Sequence, residues 1–156
     1  MKVVPAGFVA LCFLVVVGMT FAQEGEEKVK RSDLPVAVQK SMDAESKGAT
    51  VRGISREVDN GKTFYEAELT VNGHIKDILV DANGKIVEVE EEVSLDSLAA
   101  AVQRSLQKKA GSGKIVKVES LTKGGKLVAY EAQVKMGART REVQVGPNGE
   151  TLAHEE

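Results

Sequence analysis

Leu34-Pro-Val-Ala-Val-Gln-Lys-Ser-Met42 and Leu98-Ala-Ala-Ala-Val-Gln-Arg-Ser-Leu106 are one pattern written twice, 64 residues apart. Two further pairs follow in the same order at an offset of 65: Tyr65-Glu-Ala-Glu-Leu69 with Tyr130-Glu-Ala-Gln-Val134, and Val80-Asp-Ala-Asn-Gly84 with Val145-Gly-Pro-Asn-Gly149. Three blocks in order at near-constant spacing mark an internal duplication, so the chain is read as two copies of one supersecondary unit. Each copy opens on a helix. Leu34, Ala37, Val38, Ser41 and Met42 fall at i, i+3, i+4, i+7 and i+8, one largely apolar stripe, and Leu98, Ala101, Val102, Ser105 and Leu106 repeat it. Ser32 or Asp33 is the expected cap of the first helix, with Pro35 in its first turn; Ser94 or Ser97 is the expected cap of the second. Gly48 and Gly111 are the expected stops.

After each helix the period falls from 3.6 to 2. Tyr65, Ala67, Leu69 and Val71 share one face of a strand, and Phe64, Glu66, Glu68 and Thr70 share the other. Leu127–Met136 repeats the alternation, with Val128, Tyr130, Ala132, Val134 and Met136 on its apolar face. Asn60-Gly61, Asn72-Gly73 and Asn83-Gly84 punctuate the first copy, and Asn-Gly between alternating runs signals tight hairpins with positive φ at both central residues. The expected fold is α+β: two tandem repeats, each one helix followed by a four-stranded antiparallel sheet. One helix covers only one face of such a sheet, so the other face is expected to stay polar and solvated. A unit of this size is marginal alone, and joining two sheets edge to edge removes an exposed edge. That leads to one curved sheet of about eight strands with both helices on one face.

The quoted helix, the Tyr65–Leu69 strand and Asp81-Ala-Asn-Gly-Lys-Ile-Val-Glu-Val-Glu-Glu-Glu92 together resemble the PepSY-like proteins, grouped with the β-lactamase-inhibitor-protein-like fold. The resemblance covers nearly all of residues 23–156, with degenerate second copies from Leu98 to Glu156. It implies a secreted or periplasmic, cofactor-free protein. PepSY domains are held to restrain peptidases, and the inhibitor relatives grip an enzyme on the free face of the sheet. The chain departs from the inhibitor pattern in lacking its disulfides and its aromatic richness, which argues against β-lactamase as the target.

The N-terminus reads as an export leader. Lys2 is followed by an uncharged run to Ala22, with an apolar stretch Phe8–Val17 and small residues at Thr20 and Ala22, so cleavage after Ala22 is expected. The expected organisation is a signal peptide over 1–22, a charged flexible linker over 23–31, and PepSY-like repeats over 32–92 and 93–156. The alternative for the first segment is an uncleaved anchor, since it is just long enough to span a bilayer. Once Cys12 is removed no cysteine is left, so neither disulfides nor thiolate chemistry are available. Residues 23–92 carry 10 basic and 16 acidic side chains, and residues 93–156 carry 10 and 7. This asymmetry fits either two differently solvated surfaces or a bipolar molecule that steers a partner or self-associates.

Catalytic chemistry finds little support. The two histidines are His74, beside a turn with Arg139 as its repeat counterpart, and His154, near the last residue. Gly111-Ser-Gly-Lys114 resembles a phosphate loop but lacks the Ser/Thr and the following helix. Asp81-x-Asn83 with Glu92 resembles a calcium loop, but its glycine is misplaced and Lys85 occupies a ligand position. Glu88-Val-Glu-Glu-Glu92 admits a weak cation-binding reading or a solvated strand end. An acidic, exported, aromatic-poor chain is a poor nucleic-acid binder, and no membrane association is expected after cleavage.

The leading expectation is therefore a non-enzymatic binding module, acting on a secreted or periplasmic peptidase or hydrolase through the free face of its sheet. The alternatives are a small structural or stress-related envelope protein, or a weak cation binder. No cofactor, metal or catalytic residue is expected. The candidate partner-binding residues are Phe64, Glu66, Glu68, Asp77 and Leu79, with Phe64 and Leu79 as exposed apolar anchors within acidic surroundings. The repeat counterparts of those anchors, Ala129 and Gln144, show that the fold does not demand them.

Overall fold

The computed structural model describes residues 27–156; the leader and its Ala22 cleavage site lie outside these residues. Two helices, α1 (Val36–Glu45) and α2 (Ala100–Ala110), accompany eight strands: β1 (Glu27–Lys28), β2 (Thr50–Asp59), β3 (Lys62–Val71), β4 (His74–Asp81), β5 (Ile86–Glu92), β6 (Lys114–Lys123), β7 (Lys126–Met136) and β8 (Arg139–Val145). The strands form one sheet in sequence order, the α+β architecture expected. The total of eight is reached unevenly. Repeat one supplies β2–β5 and repeat two β6–β8, while Glu27 and Lys28, inside the expected linker, form β1 against Arg56 and Ser55. The described chain divides into two compact units, residues 27–93 with 119–127, and residues 94–118 with 128–156. The end of β6 and the turn after it thus group with the first repeat, against the sequence boundary.

In the first unit, the apolar stripe of α1 packs on the helix-facing side of the strands. Leu34, Val38 and Met42 bury against Ala67 and Leu69 of β3 and Ile78 and Val80 of β4, with Tyr65, Val71 and Val89 partly buried around them. The period-2 reading of β3 therefore holds residue by residue. In the second unit, α2 buries Val102, Leu106 and Ala110. Arg141 of β8 donates to the carbonyls of Lys109 (2.6 Å) and Ala110 (3.3 Å), which places the face of β8 carrying Arg141, Val143 and Val145 toward the helix.

Helix starts differ from expectation. Pro35 and Ala99 are the N-caps, and neither helix receives a side-chain cap from Ser32, Asp33, Ser94 or Ser97. A short 3₁₀ turn precedes each helix instead, at Arg31–Asp33 and Leu95–Ser97. Gln39 and Gln103 reach back to the carbonyls of Leu34 (2.9 Å) and Leu98 (2.8 Å), the same tether in both repeats. Arg31 also forms a two-pronged ion pair with Asp43, fastening the first 3₁₀ turn to α1.

The Asn60-Gly61 and Asn72-Gly73 hairpins have positive φ at both residues, as expected. The third Asn-Gly is a different device. Asp81 Oδ1 accepts from the backbone N–H of Asn83 and of Lys85, both at 2.9 Å, so one oxygen of the carboxylate is engaged by its own turn. Repeat two has Gly146 in place of Asp81, and Glu150 fills the gap: its carboxylate occupies the space a Cβ on Gly146 would need, and its Oε2 accepts from Asn148 N–H at 2.8 Å. The same amide is satisfied by a carboxylate arriving from the other side of the turn.

These turns press on the helices. A Cβ on Gly84 would lie 2.6 Å from the Ala37 carbonyl oxygen, and one on Gly149 2.7 Å from that of Ala101. Ser41 Oγ donates to the Gly84 carbonyl across the same contact. Gly84→Ala should therefore cost about 2 kcal/mol or more, from backbone contact added to a positive φ. Gly73→Ala, whose new Cβ meets nothing within 4 Å, should cost about 1 kcal/mol from φ alone; urea midpoints of the two variants check the order.

The Arg31 pair gives a pH prediction. Hydrogen bonds from Arg31 hold the Asp43 carboxyl below its ordinary value of 3.8. A carboxylate depressed on folding contributes stability above its unfolded value and loses it as pH falls through the folded one. Asp43→Asn should lower the denaturation midpoint slightly at pH 7, and the gap to wild type should close as pH drops below 3.8.

Candidate functional site

The face of β2–β5 turned away from α1 carries the five candidate residues, because direct cross-strand neighbours share a face. Glu66 of β3 stands opposite Ser55 of β2 and Leu79 of β4, and Leu79 stands opposite Glu88 of β5. One rung along, Gly53, Glu68, Asp77 and Glu90 line up in the same way. β6 closes the rungs, with Lys123 opposite Glu88, Leu121 opposite Glu90 and Glu119 opposite Glu92. Glu66, Glu68, Asp77 and Leu79 thus form a compact two-by-two block on adjacent strands.

Phe64 lies on this face as expected, but it is only 4% exposed and so is not an exposed anchor. The expected solvated character of the face also needs correction: Ser55, Glu119 and Leu121 are buried on it, Leu121 to 1%. The period-2 argument assigns a side chain to a face, while its burial depends on what neighbouring strands add to that face. Here β6 brings Leu121 and Glu119, and they belong by sequence to the other repeat.

Charge on this face is acidic and partly compensated. Arg52 sits at a register shift in β2 between Val51 and Gly53. Its guanidinium reaches Asp77 Oδ1 at 3.1 Å and Glu68 Oε2 at 3.4 Å, and its Nε donates to the Leu69 carbonyl at 3.3 Å. The Glu68 carboxylate lies 3.5 Å from where a Cβ on Gly53 would stand, an ordinary contact distance. Lys123 Nζ is 3.6 Å from Glu88 Oε2. Carboxylate oxygens of Asp77, Glu90 and Glu119 lie within 4.8 Å of one another, three like charges that Arg52 compensates from the Asp77 side. Side-chain exposures of 32% for Glu68 and 20% for Asp77 leave these groups reachable from solvent but held in place.

The sequence reading missed Arg52, because a strand bulge leaves no compositional mark, and missed Glu119 and Leu121, because neighbouring Val118 is buried as well and the strand shows no clean alternation. Glu88 and Glu90 were singled out only as part of an acidic run. His74 and His154 are exposed, at the start of β4 and beyond β8.

No protein-family model and no curated protein matches this sequence. Solved structures do. A DUF2874 family protein from Bacteroides ovatus superposes with a TM-score of 0.58 at 20% identity, over 74% of this chain and 82% of its own. A protein from Bacteroides eggerthii, described as a candidate periplasmic protein, gives 0.61 at 20%, over 75% and 84%. A BLIP-like protein from Bacteroides fragilis gives 0.57 at 21%, over 79% and 85%. At such identities the likeness establishes a shared BLIP-like fold and nothing about activity.

Phe64 and Leu79 should part company on mutation. Phe64→Ala, emptying a buried site, should cost about 3–5 kcal/mol. Leu79→Ala, at a partly buried site, should cost less, about 1–2 kcal/mol. Thermal melts of the two variants decide whether Phe64 is the more deeply packed of these two residues on the face.

Proposed function

We propose that this chain is an exported, non-enzymatic binding module whose first unit takes a protein partner on the β3–β4–β5 face centred on Leu79. The observation that carries the reading is the register block itself: one partly buried aliphatic side chain set between Glu66 and Glu88 on one rung, with Glu68, Asp77 and Glu90 on the next. The repeat counterpart of Leu79 is Gln144, so the shared fold does not require a leucine at this position. The partner's matching chemistry is a basic segment with an apolar tip, drawn in by the acidic charge and seated on Leu79. The Arg52 contacts to Glu68 and Asp77 hold part of the acidic surface rigid, which lowers the ordering cost of binding.

Export and a periplasmic or secreted location are supported by the leader sequence and by the described location of the eggerthii protein. Restraint of a peptidase or hydrolase is the role that the PepSY-like and inhibitor-like resemblance suggests, and the BLIP-like neighbour supports it at the level of fold. Residues 32–92 and 93–156 are taken as the two PepSY-like repeats.

The test uses the exported chain, wild type and Leu79→Ala/Glu66→Lys, immobilised against envelope extract. A peptidase or hydrolase retained stoichiometrically by wild type, at least tenfold less by an equally stable variant, and with an association rate falling as salt rises, supports the proposal. Equal retention by both moves binding off this face, and retention by neither favours a structural envelope role.

A second reading, weak divalent-cation binding, is favoured by the mutual approach of the Asp77, Glu90 and Glu119 carboxylates, since hard oxygen donors suit calcium. Calcium titration followed by melting temperature addresses it. A rise that Asp77→Asn abolishes supports the reading, and no rise at millimolar calcium ends it.

A further inference from the structure

The two repeats handle the segment after their last shared turn in different ways. In repeat one, Gly84 N–H donates to Asp81 O and Asp81 N–H to Lys85 O, both at 2.9 Å, and the chain continues as β5 along β4. In repeat two, Gly149 N–H donates to Gly146 O and Gly146 N–H to Glu150 O, both at 2.8 Å, so the turn closes identically and aims the chain back along β8. No strand follows. Residues 151–156 have no regular structure, and among the described residues no strand lies beyond β8.

The segment is nonetheless anchored. Glu156 N–H donates to Gln144 Oε1 at 2.8 Å, and Gln144 Nε2 donates to Glu131 Oε2 at 2.6 Å. Gln144 and Glu131 are 5% and 6% exposed, and they face away from α2, opposite each other on β8 and β7. Leu152 and Glu156 are half-buried, while the residues between them are exposed. The segment therefore lies against the far face of β7–β8 instead of on the edge of β8.

We infer that residues 151–156 are a two-position segment: a strap over Gln144 and Glu131 in this structure, and a ninth strand on β8 in the alternative. Repeat one supplies the register of the second position. Lys76 opposes Glu91, Ile78 opposes Val89 and Val80 opposes Ile86. Shifted by 65 residues, these become Arg141 with Glu156, Val143 with His154, and Val145 with Thr151. The charge pair is preserved and the apolar pairs are not. His154 and Thr151 would put polar groups on the helix side where Val89 and Ile86 pack, which weakens the strand position. A strand there would also have a ladder on one side only, whereas β5 is bonded on both. The turn favours the strand and the side chains favour the strap. Release of the strap uncovers the buried Gln144–Glu131 pair, a neutral amide beside a carboxylate, and removes the open edge of β8 at the same time.

Hydrogen exchange of the exported chain, wild type against Thr151→Ile/His154→Val, tests this. The double variant restores repeat-one residues, and exchange in peptides covering 139–145 and 151–156 should slow together by at least tenfold. Unchanged rates in both peptides of a folded variant overturn the proposal. Gln144→Ala supplies an independent arm that leaves the strand register untouched. It should speed exchange at Glu156, and no effect there would show that the strap contact is not what holds the segment.

Discussion

Everything in this molecule hangs on the close approach of each helix to a turn glycine. The carbonyl of Ala37 sits where a side chain on Gly84 would be, and the carbonyl of Ala101 where one on Gly149 would be. That contact sets each helix against the end of one hairpin and so decides which side of the strands it covers. Once α1 lies over Ile78 and Val80, strand alternation sends Leu79 and Asp77 to the opposite side, and the acidic face follows. The Asp81 and Glu150 carboxylates serve the same contact, since each locks its turn by accepting from the same backbone amide.

The side away from the helices is a half-buried polar layer. In the first unit Phe64 and Leu121 supply apolar filling on the same face as a row of carboxylates, and Arg52 and Lys123 supply compensating charge. In the second unit the buried groups are Glu131 and Gln144, joined to each other and to the backbone of Glu156. Polar groups in such a layer need partners, and each unit shows a different one. In the first a guanidinium delivered by a strand bulge ties the half-buried Glu68 and Asp77 carboxylates. The second uses a strap of chain. Duplicated sequences have thus kept a common helix side and diverged on the other, which is where binding differences between the copies would arise.

Sequence alone determined the duplication, the two helices, the alternation of β3 and the tight Asn-Gly turns, because each rests on local geometry: a repeat of 3.6 or 2, or a positive φ. It also assigned Glu66, Glu68, Asp77 and Leu79 to one side of the strands, since parity within a strand is a local property. Tertiary structure alone decided how deep those side chains lie. Phe64 and Leu79 are indistinguishable by alternation, yet one is buried and the other only partly so, because cover comes from strands far away in the chain. The same holds for Arg52, aimed by a bulge, for Glu119 and Leu121, delivered from the second repeat, and for residues 151–156, whose turn points them toward a strand that their own side chains do not support. Periodicity is written in neighbours along the chain, whereas burial and charge pairing are settled by neighbours across it.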